Sequence, residues 1–541
     1  MRITEKIYKI IADCKGMDEQ DIVETILENR GIKDVEHFLH PQAEDMLPLG
    51  SMKNEDKAAK IVVEGIAEDK QFGVFFDVDT DGVSAGTIMT RYLRNFTDKV
   101  STYINSGKAH GLIGQQVGQF GGVDILIIVD SLDKDVSQYK KLVEMGMTVI
   151  VLDHHAIDPE IEYDNYVTLV SSQRDYDNPQ LSGAGVVWKF CMYLDEFFGE
   201  LFALDLVDLA ACGILADVCE VSEERLENRY IVSQGLNNLK NPAMKKILGS
   251  YEFNSKAILF SIAPLINAAC RFNENEVAMD LFLEDENKEV LRLKKILEGC
   301  KEQQTELLNE LLPKVCEDFE AQKDSKILYT VIDTPYGISG VIGNKCLEMY
   351  NKPLLILKER DNMVCGSMRS VGYGDFMKLC NDTGLAVLHG HEQASGIEIS
   401  VDNFEEFIEV INKKLSEMQQ TTTDEIEVDC EIALSDLTRM LVDKVKAINY
   451  ISGAGFKPLV FKVVDMDEYG VSSFKEGKHL VLTPREDVQL IEWNTNADYD
   501  ALEDNSMMND PLEVIGELDS GFFCRKFMLK VIMSDWKVGA A

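Results

Sequence analysis

Three short apolar runs in the chain each end in acids or histidines. Gly73-Val-Phe-Phe76 leads into Asp77-Val-Asp79-Thr-Asp81-Gly82, Asp124 to Val129 leads into Asp130-Ser-Leu-Asp133, and Met147 to Leu152 leads into Asp153-His154-His155. A helical stretch, Leu206 to Ala216, then delivers Asp217 at the end of Gly213-Ile-Leu-Ala-Asp217. Carboxylates brought close together repel one another and take up protons. Divalent cations remove that conflict, and a mixed aspartate and histidine donor set suits manganese, with magnesium or another first-row ion as the alternative. Taken singly, each feature has an ordinary explanation, such as an acid in a turn or a histidine on a surface. Their joint occurrence, in order and at three run ends, is what points to a cation site. The Asp77-x-Asp79-x-Asp81-Gly82 spacing also fits the start of a calcium-binding loop. That loop needs a glutamate at its twelfth position, where this chain has Ile88, and an entering helix where it has Phe75-Phe76.

The elements that must position these residues follow from the same runs. Short β-rich stretches alternate with helical patterns such as Val136 to Met145, which predicts a parallel sheet with helices on both faces. In such open α/β sheets ligands bind beyond the carboxyl ends of the strands, where the acids and histidines fall. Upstream, residues 1–50 read as two short helices and a loop, and 51–285 as the domain carrying the cluster. Leu293, Ile296, Leu297, Cys300, Leu307, Leu308 and Leu311 recur at helical spacing and predict a long connector helix over 286–322. Pro313 is expected to kink or end it. A second α/β pattern begins near Ile327 and covers 323–424. The segment 425–541 mixes strands with acidic loops and reads as a small β-barrel.

Bulk properties narrow the setting. A chain of 541 residues that is 45% hydrophobic has ample material for several packed domains. Its apolar runs are too short to span a bilayer, and Met1-Arg-Ile-Thr-Glu-Lys6 has no apolar signal core. The twelve cysteines include no Cys-x-x-Cys pair, so a reducing cytoplasm is expected rather than a disulfide framework or zinc ribbon. The formal net charge is −40, the opposite of the basic footprint expected of a nucleic-acid binder. Any phosphate must therefore be held locally, by a few arginines and lysines and by bound cations. The acidic excess reads as a solvated surface, including the run Asp498 to Asp510.

At this point the chain resembles the DHH family, whose defining triplet is here Asp153-His154-His155, and within it the RecJ branch. The resemblance covers nearly the whole chain. Phe38-Leu-His-Pro41, Leu181-Ser-Gly-Ala-Gly-Val-Val-Trp-Lys189, Leu209-Ala-Ala-Cys-Gly-Ile-Leu-Ala-Asp217 and Ile266-Asn-Ala-Ala-Cys-Arg271 are similar to successive RecJ segments. Gly337-Ile-Ser-Gly-Val-Ile-Gly343, Gly366-Ser-Met-Arg369-Ser and Gly390-His391-Glu-Gln-Ala-Ser-Gly396 resemble the DHH-associated substrate domain, and Ser452-Gly-Ala-Gly-Phe-Lys-Pro458 the lead into an OB-fold. The chain departs from the pattern at Ile104-Asn-Ser-Gly-Lys108-Ala-His110-Gly111, where Lys108 stands in for an expected arginine. Cys270 and His389 replace glycines. These departures mark a divergent member.

The resemblance implies an α/β phosphoesterase: a parallel-sheet DHH domain, a connector helix, an associated domain and an OB-like nucleic-acid-binding barrel. It implies two divalent cations, manganese preferred and magnesium the alternative, roughly 3.5–4 Å apart as in two-metal sites generally. Asp79 would bind one and Asp81 the other, Asp130 and Asp217 would bridge or share them, His154 would complete one sphere, and Asp77 is a further candidate. His155 would contact the scissile phosphate, with Asp153 orienting an imidazole. Lys108, Arg271, Arg369, Gly390 and His391 would hold the substrate backbone. Phe456, Phe461, Tyr469, Phe474 and Trp493 are aromatics available for base stacking. The activity implied is 5′-to-3′ digestion of single-stranded DNA, rather than RNA, to mononucleotides in repair or recombination. The protein would be a monomer, away from membranes, with a single-strand-binding protein as a second partner. Two alternatives stay open: a phosphodiesterase acting on short oligonucleotides or cyclic dinucleotides, and a non-catalytic replication scaffold.

Overall fold

A computed structural model describes residues 7–107, 111–112, 117–335, 337–421, 425–475, 477–495, 511–523 and 525–538. The acid-bearing runs form a five-stranded, all-parallel sheet in the order Val100–Ile104, Phe72–Phe76, Ile125–Val129, Thr148–Asp153, Thr168–Ser171. Its central strands are buried at every position, as parallel strands covered on both faces must be. Phe72, Val74 and Phe76 pack into one core, while Phe75 joins Leu126, Ile128 and Tyr139 in the core on the opposite face. From Phe72–Phe76 the chain first adds a strand on one side and then crosses to Ile125–Val129 on the other. That reversal opens a crevice at the carboxyl ends of these two strands, where Asp77 and Asp130 emerge.

The connector is a single helix, Asn287–Glu320, of 34 residues, about 50 Å long at 1.5 Å per residue. Val290, Leu293 and Leu297 belong to the first domain's core, and Val315 and Phe319 to the next. Pro313 lies inside this helix and does not end it. Proline forfeits one backbone hydrogen bond, and apolar packing at both ends of the helix offsets that loss. The second sheet runs Ala386–His391, Ala394–Ser400, Met363–Arg369, Leu354–Arg360, Leu328–Val331, antiparallel except for its last pair.

Two expectations change in the third sheet. Residues 7–13 are not helical: Ile7–Asp13 is a strand that pairs in parallel with Glu425–Ala433, ahead of the helices Glu19–Asn29 and Val35–Leu39. Its β-branched content suits a strand, but its partner lies some four hundred residues away. The C-terminal strands then extend that pair into eight, in the order Ile7–Asp13, Glu425–Ala433, Phe461–Met466, Leu512–Phe523, Lys526–Val538, Val488–Trp493, His479–Arg485, Gly470–Phe474. Among the described residues no pairing joins the two ends, so this sheet is open rather than the small closed barrel expected. The N-terminal helical segment at Phe38 and the stretch Ile451–Phe456 are clamped to the first domain through Arg229. Its guanidinium lies 3.6 Å from the Phe38 ring centroid and 5.2 Å from that of Phe456, and it donates to the carbonyls of Phe38, Val221 and Ile451. The Phe38–Pro41 and Ser452–Pro458 segments are therefore structural. No helix among the described residues is long and apolar enough to cross a membrane.

Candidate metal and phosphate centre

Each acid reaches the crevice by a specific local device. Asp77 follows the Phe72–Phe76 strand directly, and Asp79 caps the helix Thr80–Leu93, accepting from the Gly82 N–H at 3.0 Å. Thr80 donates through both its N–H and its hydroxyl to Asn267 Oδ1, at 3.0 and 2.8 Å. This ties the turn to the Ala263–Ala269 helix, a role for the Ile266–Arg271 segment that the sequence did not disclose. Asp130 leaves its strand in the left-handed region, at φ 55, a conformation that aspartate tolerates better than most residues. Asp217 is the C-terminal cap of Val207–Ala216.

These side chains converge. His154 Nε2 lies 3.2 Å from Asp130 Oδ1, 3.6 Å from Asp217 Oδ2 and 3.8 Å from Asp81 Oδ2. One donor atom from each of Asp77, Asp79 and Asp130 falls within 4.8 Å of the others, as it does for Asp130, His154 and His155, and for His154, Asp217 and Cys219. Three glycines make room for the cluster. A Cβ on Gly82 would sit 2.5 Å from Asp77 Cβ, one on Gly183 2.4 Å from Asp130 Oδ1, and one on Gly213 2.1 Å from Asp81 Oδ1.

Asp81 is held differently from the rest. It accepts from Ser182 Oγ, Gly183 N–H and Ala184 N–H at 2.9, 2.7 and 3.0 Å. It is thus also the anion at the positive N-terminus of the Gly183–Phe198 helix. Each carboxylate oxygen carries two lone pairs, so Oδ2 keeps one for a cation.

Burial first, and then the neighbouring carboxylates, push Asp81 and Asp130 well above the usual carboxylate range. Burial also raises Asp217, against the pull of His154. Burial lowers His154, favouring the neutral imidazole that serves as a metal ligand. His155 behaves oppositely. The Asp153 charge, with a 2.8 Å contact from its Oδ1 to His155 Nδ1, raises the ring to about 10. Asp153 also accepts the His155 N–H at 3.0 Å. Burial would raise Asp153, but His155 brings it below the usual range. The His155 side chain is 48% exposed against 13% for His154, so of the two it is the one open to an incoming group.

Asp133 is not part of this arrangement. It accepts from the Leu112 N–H at 2.7 Å and pins the preceding loop, with burial raising it to about 6. Cys219, which the sequence reading passed over, is part of it. Its thiol lies 3.6 Å from Asp217 Oδ2, and burial and then Asp217 raise its pKa. The only sequence signal was its place two residues after Asp217.

Lys108 and His110, like Asp498 to Asp510, lie outside the described residues, and so does the side chain of His391. Arg271 donates to Gln304 of the connector helix at 2.8 Å, and its Nε has no hydrogen-bond partner among the described residues. Arg369 donates to the Asn344 side chain and to the Met368 carbonyl, and a Cβ on Gly340 would come within 2.8 Å of its Nη2. Gly340 and Gly343 thus clear a channel for this side chain. Burial lowers both arginines, and neither joins a salt bridge among the described residues. Gly390 and His391 end a hairpin strand rather than a loop. His391, Ala394 and Arg369 share one rung across three strands, and Gly390 has φ 129. Of the candidate stacking aromatics, Phe456, Phe461 and Tyr469 are core residues, whereas Phe474 and Trp493 are exposed with ring centroids 5.6 Å apart.

Comparison with known proteins agrees with this geometry. Residues 71–214 match the DHH family, N-terminal domain. The chain is 26% identical over 535 residues to the putative SPbeta prophage-derived single-strand DNA-specific exonuclease YorK of Bacillus subtilis, covering 91% of each. It is also 26% identical over 477 residues to the single-stranded-DNA-specific exonuclease RecJ of Bacillus subtilis, covering 82% of this chain and 58% of that one. The crystal structure of RecJ in complex with Mn2+ from Thermus thermophilus superposes over 99% of this chain and 80% of its own, with a TM-score of 0.78 at 21% identity. These matches support a divergent, RecJ-like member of the DHH family, with the DHH N-terminal domain at residues 71–214.

Proposed function

We propose that the protein is a metal-dependent exonuclease that hydrolyses phosphodiester bonds of single-stranded DNA from the 5′ end, releasing mononucleotides in repair or recombination. The observation that carries this is the convergence of Asp77, Asp79, Asp130, His154 and Asp217 at the sheet's switch point. The relatives named as single-strand-specific exonucleases support the choice of substrate.

The residues fit a pair of divalent cations. Asp130 is 2% exposed and its Oδ1 has no hydrogen-bond partner among the described residues, a state that is costly for a buried carboxylate unless a cation faces it. In this reading Asp77, Asp79, Asp130, His154 and Asp217 hold the cations, with Asp81 adding its remaining lone pair, and the oxygen-rich set with one imidazole favours manganese over magnesium. Bound there, such cations lower the pKa of an attacking water and neutralise charge on the phosphate. Asp153 orients His155, whose protonated ring donates to a non-bridging phosphate oxygen. Arg369 and Arg271, without carboxylate partners among the described residues, offer guanidinium forks to the neighbouring phosphates. The open backbone at Gly390 lets an N–H approach the strand closely. Residues 51–285 form the catalytic domain in this scheme, 323–424 grip the backbone across from it, and 425–541 hold further nucleotides, with Phe474 and Trp493 available for stacking.

The test is digestion of end-labelled single strands of DNA and RNA in manganese and in magnesium. The parent should release labelled mononucleotide first from the 5′ end of DNA, and Asp130→Ala should lower the rate by about 10²-fold or more. Cleavage of a dinucleotide but not of a long strand would replace the substrate assignment. A variant as fast as the parent would remove the metal assignment.

A further inference from the structure

The connector helix Asn287–Glu320 keeps one face turned inward. On that face Val290, Leu293 and Leu297 pack into the first domain's core, and Leu307, Leu308 and Leu311 pack against the second. The inward positions between Leu297 and Leu307 belong to neither core, and they include Lys301 and Gln304. At about 100° per residue both fall within the sector that these leucines define, with Cβ atoms about 5–6 Å apart. The Ala263–Ala269 helix lies against the connector, and Arg271, just beyond its end, donates to Gln304 Oε1 at 2.8 Å.

This stretch offers hydrogen-bond donors and no free carboxylate. Lys301 is half-buried, and its ammonium has no hydrogen bond or ion pair among the described residues. Burial lowers its pKa, and no carboxylate raises it again. Gln304 spends its oxygen on Arg271, and its amide hydrogens meet no acceptor among the described residues. The chain has 94 acids for 54 lysines and arginines, so an inward cation without a carboxylate is out of place unless an anion from outside reaches it.

We propose that Lys301 is a substrate-binding residue, whose ammonium holds a backbone phosphate of the single strand where the connector bridges the two domains, with the Gln304 amide as a second donor. This rests on the reading that the protein digests single strands, and it adds a contact from the connector to those ascribed to Arg271 and Arg369. With a formal net charge of −40 the chain has no general attraction for phosphate, so each local cation counts. A lysine suits this position. Its point charge and rotatable donors tolerate a strand that advances between cleavages, whereas a guanidinium fork fixes one geometry. The opposing explanation is a lysine that lays its stem on the helix surface and leaves its ammonium in water.

The experiment measures kcat and KM of the full-length protein on a labelled single strand in manganese, over a series of salt concentrations. Lys301→Met keeps the stem and removes the charge. It should raise KM about tenfold, the scale of one charge-assisted hydrogen bond, and leave kcat within about twofold. The fall of log kcat/KM with log salt should become shallower by about 0.7, the value of one phosphate contact on a single strand. Lys301→Arg keeps the charge and should keep the parent slope. Lys295→Met, at an exposed position on the opposite face of the same helix, should match the parent throughout. A Lys301→Met variant with the parent's KM and salt slope would overturn this inference and leave the proposed function standing. So would a denaturation midpoint lowered in both Lys301 variants, which would make the role structural. A parent that digests no single strand would overturn both readings.

Discussion

Gly183→Ala adds one methyl group and tests whether the crevice depends on the position of Asp130. The new Cβ would stand 2.4 Å from Asp130 Oδ1, 2.6 Å from its Cγ and 2.7 Å from its Cβ. Relaxed contacts lie near 3.5–4.0 Å, so the carboxylate must retreat by about 1 Å. It has little freedom to do so, being 2% exposed with its N–H bonded to the Leu152 carbonyl at 2.9 Å. Overpacking of this kind costs about 1–3 kcal/mol. Gly183 is the first residue of its helix, where replacing glycine brings little gain, so the net loss of stability stays at about 1–3 kcal/mol and the protein should remain folded at 25 °C. A displacement of about 1 Å at a reacting centre can cost about 10²-fold in rate. The assay is the initial rate of nucleotide release from a labelled single strand in saturating manganese, paired with denaturant unfolding. The control is Gly299→Ala in the connector helix, where a Cβ meets nothing within 4 Å; it should be neutral in rate and up to about 1 kcal/mol more stable. If Gly183→Ala turns over within about twofold of the parent, Asp130 is not working from the place its strand end puts it, and the reasoning fails.

Two other outcomes are expected. Glu55 is 1% exposed, and burial raises it from 4.5 to about 7. The folded state thus holds this proton more tightly than the unfolded one, and stability is lost as pH rises between 4.5 and 7. Glu55→Gln should therefore be more stable than the parent at pH 8, by up to about 3 kcal/mol at about 1.4 kcal/mol per pH unit, with the gap closing toward pH 4.5; equal chemical-denaturation midpoints at pH 8 would contradict this. Asp153→Asn removes the charge that raises His155 to about 10. The ring should fall toward its ordinary value near ~6.5, so that only about 3% stays protonated at pH 8. The rate of single-strand digestion relative to the parent should then fall about 30-fold further at pH 8 than at pH 5.5, and parallel pH profiles would exclude a protonated His155 from the reaction.

The third sheet shows where a local reading stops. Ile7–Asp13 carries a strand's composition, but a strand is defined by its partner, and Glu425–Ala433 lies at the far end of the chain. With that pairing the C-terminal region becomes an open eight-stranded sheet that includes Ile7–Asp13. Pro313 is the reverse case. The residue's own chemistry predicts a break, and packing at both ends of a 34-residue helix overrides it.

The cluster itself was legible because a parallel sheet delivers every strand's carboxyl end to one edge, so consecutive run ends in Asp77, Asp130 and Asp153-His154-His155 become neighbours whatever the loops do. The match of these runs to Phe72–Phe76, Ile125–Val129 and Thr148–Asp153 follows from buried apolar composition alone. Tertiary structure decided what each side chain does there. Asp81 faces the first turn of a helix about a hundred residues away, Asn267 anchors the Asp79–Asp81 turn, Gly183 and Gly213 clear space for single oxygen atoms, and the Cys219 thiol comes within 3.6 Å of Asp217 across a left-handed valine. Periodicity reports which edge a residue reaches. Hydrogen-bond partners and sub-ångström clearances arise only when segments distant in the chain are packed together.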